Sequence, residues 1–200
     1  MKKEEKEIID GYTVQSSLWV GCKRMIYAKD ETEQMERPYM KCIYTANELF
    51  GRYDDAVISD SFEEIVKLYA DDIKAEAIIL EAENRANGIR NSACLKQDEV
   101  IPVGRDQRIV GEIVAIDPKF LSDGYKSIRN QLFYVTGGNG AEANSRGNAC
   151  FCTDLNTGKS DRIERYEVLG RVPADKLPDF AKKTMENIRQ KEKERNDGGR

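Results

Sequence analysis

Histidine is absent from the chain. That gap removes Ser-His-Asp and Cys-His nucleophile chemistry, imidazole metal ligands and histidine-based pH switching. Cysteine is sparse: Cys22, Cys42, Cys94, Cys150 and Cys152 form an odd set with no disulfide-framework spacing and no Cys-x-x-Cys knuckle. Cys150 and Cys152 share a strand face, but reduced thiols acting as small hydrophobes explain the set more simply than zinc does. No apolar run reaches the roughly 18 residues of a membrane span. The charged start, Met1 to Lys6, leads only into Ile8-Ile9, so the expectation is no secretory segment, no membrane and a cytoplasmic chain. Gly137-Gly138-Asn139-Gly140 lacks dinucleotide-fingerprint spacing, and no Gly-Lys-Ser/Thr follows it to make a phosphate loop.

What remains is a 200-residue chain, 40% apolar and 34% charged, large enough to fold without covalent staples. Its charge is uneven. Residues 1–100 carry 14 basic and 21 acidic residues, and residues 101–200 carry 18 and 15, giving −7 and +3. An acidic half repels phosphate at long range and suits a basic surface on a partner; solvated faces are the plainer explanation.

Alternation over 12–20 predicts a half-buried strand, with Tyr12, Val14, Leu18 and Val20 on one face and Trp19 on the other. Strands follow over 22–28 and 39–45, the latter with Met40, Cys42 and Tyr44 on one side, and Ala56-Val57-Ile58 adds a short fourth. Ser61 with Glu64 reads as a capping box opening a long helix. Its stripe is Phe62, Ile65, Val66, Tyr69, Ile73, Ala77 and Leu80, and Asn87-Gly88 stops it. Leu68, Ile78 and Ile79 lie off that stripe, which leaves a second covering or a homodimer open. Residues 91–107 read as a linker. Ile109 to Ile116 is apolar on both faces, as in a central barrel strand, and further strands are expected at 132–135, 149–155 and 166–170. Leu177, Phe180, Ala181, Met185 and Ile188 mark a C-terminal helix that frays from Gln190.

The expected fold is therefore α+β: a small antiparallel sheet with one long helix (1–90), a linker (91–107), a small β-barrel-like or β-sheet module (108–173), and a C-terminal helix and tail (174–200).

No catalytic set, metal site or cofactor is expected. Candidate partner contacts are Asn139, Asn144, Ser145 and Arg146 in a polar loop, read as either a mobile recognition loop or a plain hairpin tip, with Glu33, Glu36, Asp54 and Asp55 in acidic loops. Lys159, Arg162, Arg165 and Arg171 are candidate phosphate or nucleic-acid contacts, although Asp154, Asp161, Glu164 and Glu167 interleave with them. Aromatics on the first strands read as sheet packing rather than a base-stacking platform, because few cations flank them.

The stretches Val135-Thr136-Gly137-Gly138-Asn139-Gly140, Asn144-Ser145-Arg146-Gly147-Asn148-Ala149-Cys150-Phe151-Cys152-Thr153-Asp154-Leu155 and Val168-Leu169-Gly170, with Leu177-Pro178, resemble small accessory proteins of conjugative and integrative elements of Gram-positive bacteria. Gly11-Tyr12-Thr13-Val14 and Leu49-Phe50-Gly51-Arg52-Tyr53 are similar to a module that precedes this one in such proteins. The resemblance implies a mobile-element context in which accessory proteins blunt host defence by stoichiometric binding. The expectation is an inhibitor of a host nuclease or nuclease–guide complex, such as an anti-CRISPR protein against a Cas9-type effector. The alternative is a nucleic-acid-binding or regulatory factor of conjugative transfer acting through the second module.

Overall fold

The computed structural model describes residues 6–46 and 51–197. Residues 1–5, 47–50 (with Leu49-Phe50 of the resemblance) and 198–200 lie outside the described residues. The chain is α+β, with two five-stranded antiparallel sheets in two units, Met1–Glu83 and Asn84–Arg200. Divided at that boundary, the first unit holds 11 basic and 19 acidic residues, net −8, and the second holds 21 and 17, net +4.

In the first unit β1 (Ile8–Ile9), β2 (Tyr12–Val20), β3 (Lys23–Lys29), β4 (Tyr39–Ala46) and β5 (Gly51–Ser59) pair in sequence order. The Asp10-Gly11 turn has positive φ at both residues, 48° and 90°, the two-residue geometry that matches strand twist. It adds β1, which hydrophobic pattern alone did not reveal. Between Val14 and Ser16 the register shifts, so one extra residue enters β2. The bulge breaks the strict alternation expected over 12–20. Tyr12 and Val14 join the buried cluster of Ile9, Ile26, Ala28, Met40 and Cys42, and Trp19 meets Tyr44 beside it, centroids 6.2 Å apart. The sheet curls on that side, for Glu7 accepts from Arg24 on β3 and from Tyr53 on β5.

Helix α1 (Phe62–Ala86) lies over the opposite face. Ser61 Oγ accepts the Glu64 N–H at 3.2 Å, as a cap should. The return arm is relayed: Ser59 Oγ accepts the Ser61 N–H at 3.0 Å and donates to the Glu64 carboxylate. Ile65 and Met25 are buried, Phe62 and Tyr69 meet Tyr27, and two ion pairs, Lys23–Glu76 and Lys41–Asp72, tie helix to sheet. Of the predicted stripe only Ile65 is buried; Phe62, Val66 and Ala77 are exposed, as are Ile78 and Ile79. Gly88, φ +67°, closes the helix: its N–H donates to Arg85 and the Ile89 N–H to Asn84, the paired bonds of a Schellman ending.

In the second unit β6 (Ile113–Ile116), β7 (Leu132–Gly137), β8 (Ala149–Asp154), β9 (Ser160–Glu164) and β10 (Val168–Arg171) pair in the order β10-β6-β7-β8-β9. A long connection follows β6 and one 3-10 turn, Arg165–Glu167, separates β9 from β10. That connectivity makes one five-stranded antiparallel sheet, an architecture that fixes no function by itself. Strand β6 is covered on both sides: Val114 and Ile116 join Phe133, Val135, Cys150, Cys152 and Ile163 inside, and Ala115 joins an outer layer. Ile109 to Glu112 turn instead of extending the strand, with Gly111 at φ +84°, yet Ile109 still plugs the interior. The outer layer is built by α2 (Asp179–Asp197) through Phe180, Ala181 and Met185 against Ala115, Leu132 and Leu155.

Residues 91–107 belong to this unit. Leu95 and Val100 are buried, and Ile101 bridges to Arg171 on β10. The fully buried Gln131 takes the place of a strand partner: its amide donates to the Leu95 and Ile116 carbonyls at 3.0 and 2.9 Å and accepts the Leu95 N–H at 2.7 Å. Replacement of Gln131 by Ala strands these buried main-chain groups and is expected to lower stability by about 2–3 kcal/mol, read from urea unfolding midpoints. An unchanged midpoint would show that water substitutes for the amide.

Candidate interaction surfaces

The acidic loop after β3 is organised by one carboxylate. Asp30 is fully enclosed and accepts from the Thr32 hydroxyl (2.6 Å) and from the amides of Thr32, Gln34 and Met35 (2.8, 3.0 and 2.9 Å). The Thr32 hydroxyl, then the amides, hold its pKa down at about 2. With Asp30 turned inward and Glu31 on Lys6 and Gln15, the loop presents Glu33 (φ +57°) and Glu36 to solvent. Glu36 borders an open depression of about 440 Å³ with Tyr12, Met35, Arg37 and Ile58.

Asp54 and Asp55 are engaged within the sheet. Asp54 meets Arg52 at 2.6 Å, and Asp55, in a bulge at φ +53°, meets the buried Lys41 at 2.7 Å. Burial pushes the Lys41 ammonium down, and its bonds to Asp55 and Asp72 outweigh that and leave it above its ordinary value.

The polar loop 138–148 is hydrogen-bonded to its neighbours at several points. Gly138, Gly140 and Ala141 back onto the main chain of β8 and the strand interior, and Asn139–Ala141 forms a 3-10 turn. A side chain at Gly138 or Gly140 would strike main-chain atoms of Ala149 or Asn148. The loop is laced to 104–109: Ile109 N–H donates to Ala141, Asn144 N–H to Arg105, and the Arg105 guanidinium to Asn148 Oδ1 and to the Ser145 carbonyl. Asn139, Asn144 and Arg146 are exposed; Ser145 is half-buried, its hydroxyl accepting the Gly147 N–H at 3.2 Å. Arg146 has no hydrogen-bonding or ionic partner among the described residues.

Arg165 sits beneath this loop, 6% exposed, and donates to the carbonyls of Gly140 (3.3 Å), Gly104 (2.6 Å) and Gln107 (3.0 Å). It braces two loops and does not face solvent, contrary to its reading as a phosphate contact. Burial lowers its pKa from the usual value, and nearby Arg105 adds to the effect. Its three acceptors are neutral, so its charge has no ion-pair partner among the described residues. The other three cations are dispersed: Arg162 meets Glu164 at 2.6 Å, Arg171 meets Glu112 at 3.5 Å, and Lys159 stands exposed in the β8–β9 hairpin.

One surface had no signal in the sequence. Phe120 and Tyr166, 46 positions apart, meet at 5.7 Å between centroids while 41% and 56% exposed. The Lys119 ammonium stands 4.9 Å from the Phe120 ring.

Cys42, Cys150 and Cys152 are buried, Cys94 is half-buried and Cys22 is exposed. Burial pushes the Cys42 and Cys152 thiols up to about 11 and about 12. Among the described residues, no group of three or more Cys, Asp or Glu side chains is placed to hold a metal ion, and no helix is long and apolar enough to cross a membrane. No family model matches the chain, and no curated protein or solved structure matches it.

Two measurements check these placements. The native Asp30 carboxyl titrates below its unfolded value of about 3.9, so its contribution to stability is complete above about pH 4 and fades as pH falls towards about 2. Comparison of acid unfolding of the wild type and Asp30→Asn should show that component only in the wild type. Arg165→Lys cannot span three carbonyls, and amide exchange at Ala141 and Asn144 should accelerate about tenfold or more. Unchanged exchange there would remove Arg165 from its bracing role.

Proposed function

We propose that this chain is a non-enzymatic accessory protein of a mobile element that inhibits a host defence nuclease, a Cas9-type CRISPR effector being the first candidate. Its acidic first unit occupies a nucleic-acid-binding surface of the enzyme. The observation that carries this reading is the −8 charge of the first unit, where Asp10, Glu33, Glu36, Asp60 and Asp71 are exposed without an ion pair among the described residues. Uncompensated carboxylates on a folded surface compete with phosphate for a basic channel and speed encounter with it. The resemblance to mobile-element accessory proteins agrees with that role, and Glu33 and Glu36, unlike Asp54 and Asp55, are free to make the contact.

The test adds the purified protein in stoichiometric amounts to DNA cleavage by a panel of Cas9-type effectors and restriction enzymes. At least one enzyme should be slowed, the inhibition should weaken as salt rises, and Glu33→Lys with Glu36→Lys should cut the association rate about tenfold. Full cleavage with no complex across the panel would overturn the proposal.

A further inference from the structure

Three segments of the second unit converge on one rim. The connection after β6 is tied to the 3-10 turn by the Asp117 N–H donating to the Glu167 carbonyl at 2.8 Å. The same turn is tied to loop 138–148 by the Arg165 N–H donating to the Asn148 carbonyl at 2.7 Å, with the Arg165 side chain reaching Gly140. These ties place the segments that carry the exposed Phe120 and Tyr166 rings next to the loop that carries the exposed Arg146 and that the Arg105 guanidinium meets. Three of the rim's acids pair with cations, Asp117 with Lys119, Glu142 with Arg108 and Glu164 with Arg162, while Glu167 accepts the Glu164 N–H and, like Asp106, keeps its charge. The unit as a whole has a net charge of +4.

We propose that this rim binds single-stranded nucleic acid, with Phe120 and Tyr166 stacking on bases and Arg146 and Arg105 meeting phosphates. Exposed rings and arginines carried on adjoining segments suit that ligand best. A duplex keeps its base faces stacked and out of reach of two rings on a rim, and an acidic peptide would use the arginines and leave the rings idle. The site differs from the Lys159, Arg162, Arg165 and Arg171 set, and it acts independently of docking by the acidic first unit. Sequence preference is expected to be weak, because stacking tolerates every base and no group on the rim is committed to reading a base edge.

Fluorescence anisotropy of a labelled oligothymidylate, its duplex and poly-glutamate with the full chain tests this at low and moderate salt. The single strand should bind and the other two should not compete at equal charge. Phe120→Ala and Tyr166→Ala should each weaken binding about tenfold or more. Tyr166→Leu, which keeps an apolar neighbour for Phe120, repeats the test where the alanine variant fails to fold. Arg146→Ala, which breaks no internal bond, should lower the slope of log K against log salt by about one, and Lys183→Ala on the exposed side of α2 should not. No binding of the single strand at low salt, equal binding of the duplex or poly-glutamate, or affinity indifferent to the two ring substitutions would each overturn the proposal.

Discussion

The second unit depends on a buried guanidinium whose hydrogen bonds all go to main-chain carbonyls among the described residues. Removing a charge from water is costly unless its donors are met, and Arg165 meets that cost with the carbonyls of Gly140, Gly104 and Gln107. Those carbonyls belong to two irregular segments that have no strand partner there, so the same contacts that satisfy the arginine also fix the segments. A carboxylate in their place would neutralise the charge but leave the loops untied. Gln131 performs the parallel task for the chain around Leu95, one amide standing in for a missing strand. Irregular backbone is held in this unit by buried polar side chains of high donor capacity, and the apolar layers on either side of β6 supply most of the driving force around them.

The first unit uses charge differently. Its helix covers the sheet with few buried apolar groups, and Lys41 and Lys23 make up part of the attachment by reaching Asp72 and Glu76. These lysines neutralise acids at the helix–sheet contact, so the exposed acids in the loops and along the helix carry the unit's excess. Enclosing Asp30 likewise removes one carboxylate from the surface while shaping the loop that displays Glu33 and Glu36.

The regular parts of this fold were legible because their signals are local. Met40, Cys42 and Tyr44 share a side as alternation requires, Gly88 ends α1 in the left-handed region, and Leu177 to Ile188 form the stripe that packs against the second sheet. The misreadings have a common cause, partners distant in sequence. Leu95 and Val100 look isolated in a polar stretch because Gln131 and α2 lie far along the chain. Arg165 is indistinguishable in sequence from its neighbour Arg162, and only the closure of the 104–107 and 138–141 segments makes one a brace and the other a surface ion pair. A single added residue near Gln15 moved Trp19 to the face of Tyr12, which no periodicity anticipates. The Phe120–Tyr166 pair exists only because β10 returns beside β6.

The glycines at the base of loop 138–148 have a bearing on how this surface can diversify. Gly138 and Gly140 abut main chain, so their positions admit no side chain, whereas Glu142, Ala143, Asn144 and Arg146 project outward. Such a loop separates into a sterically constrained footing and a permissive crest. Side chains on the crest can be exchanged residue by residue while the footing preserves the scaffold, as an antibody framework permits in its hypervariable segments.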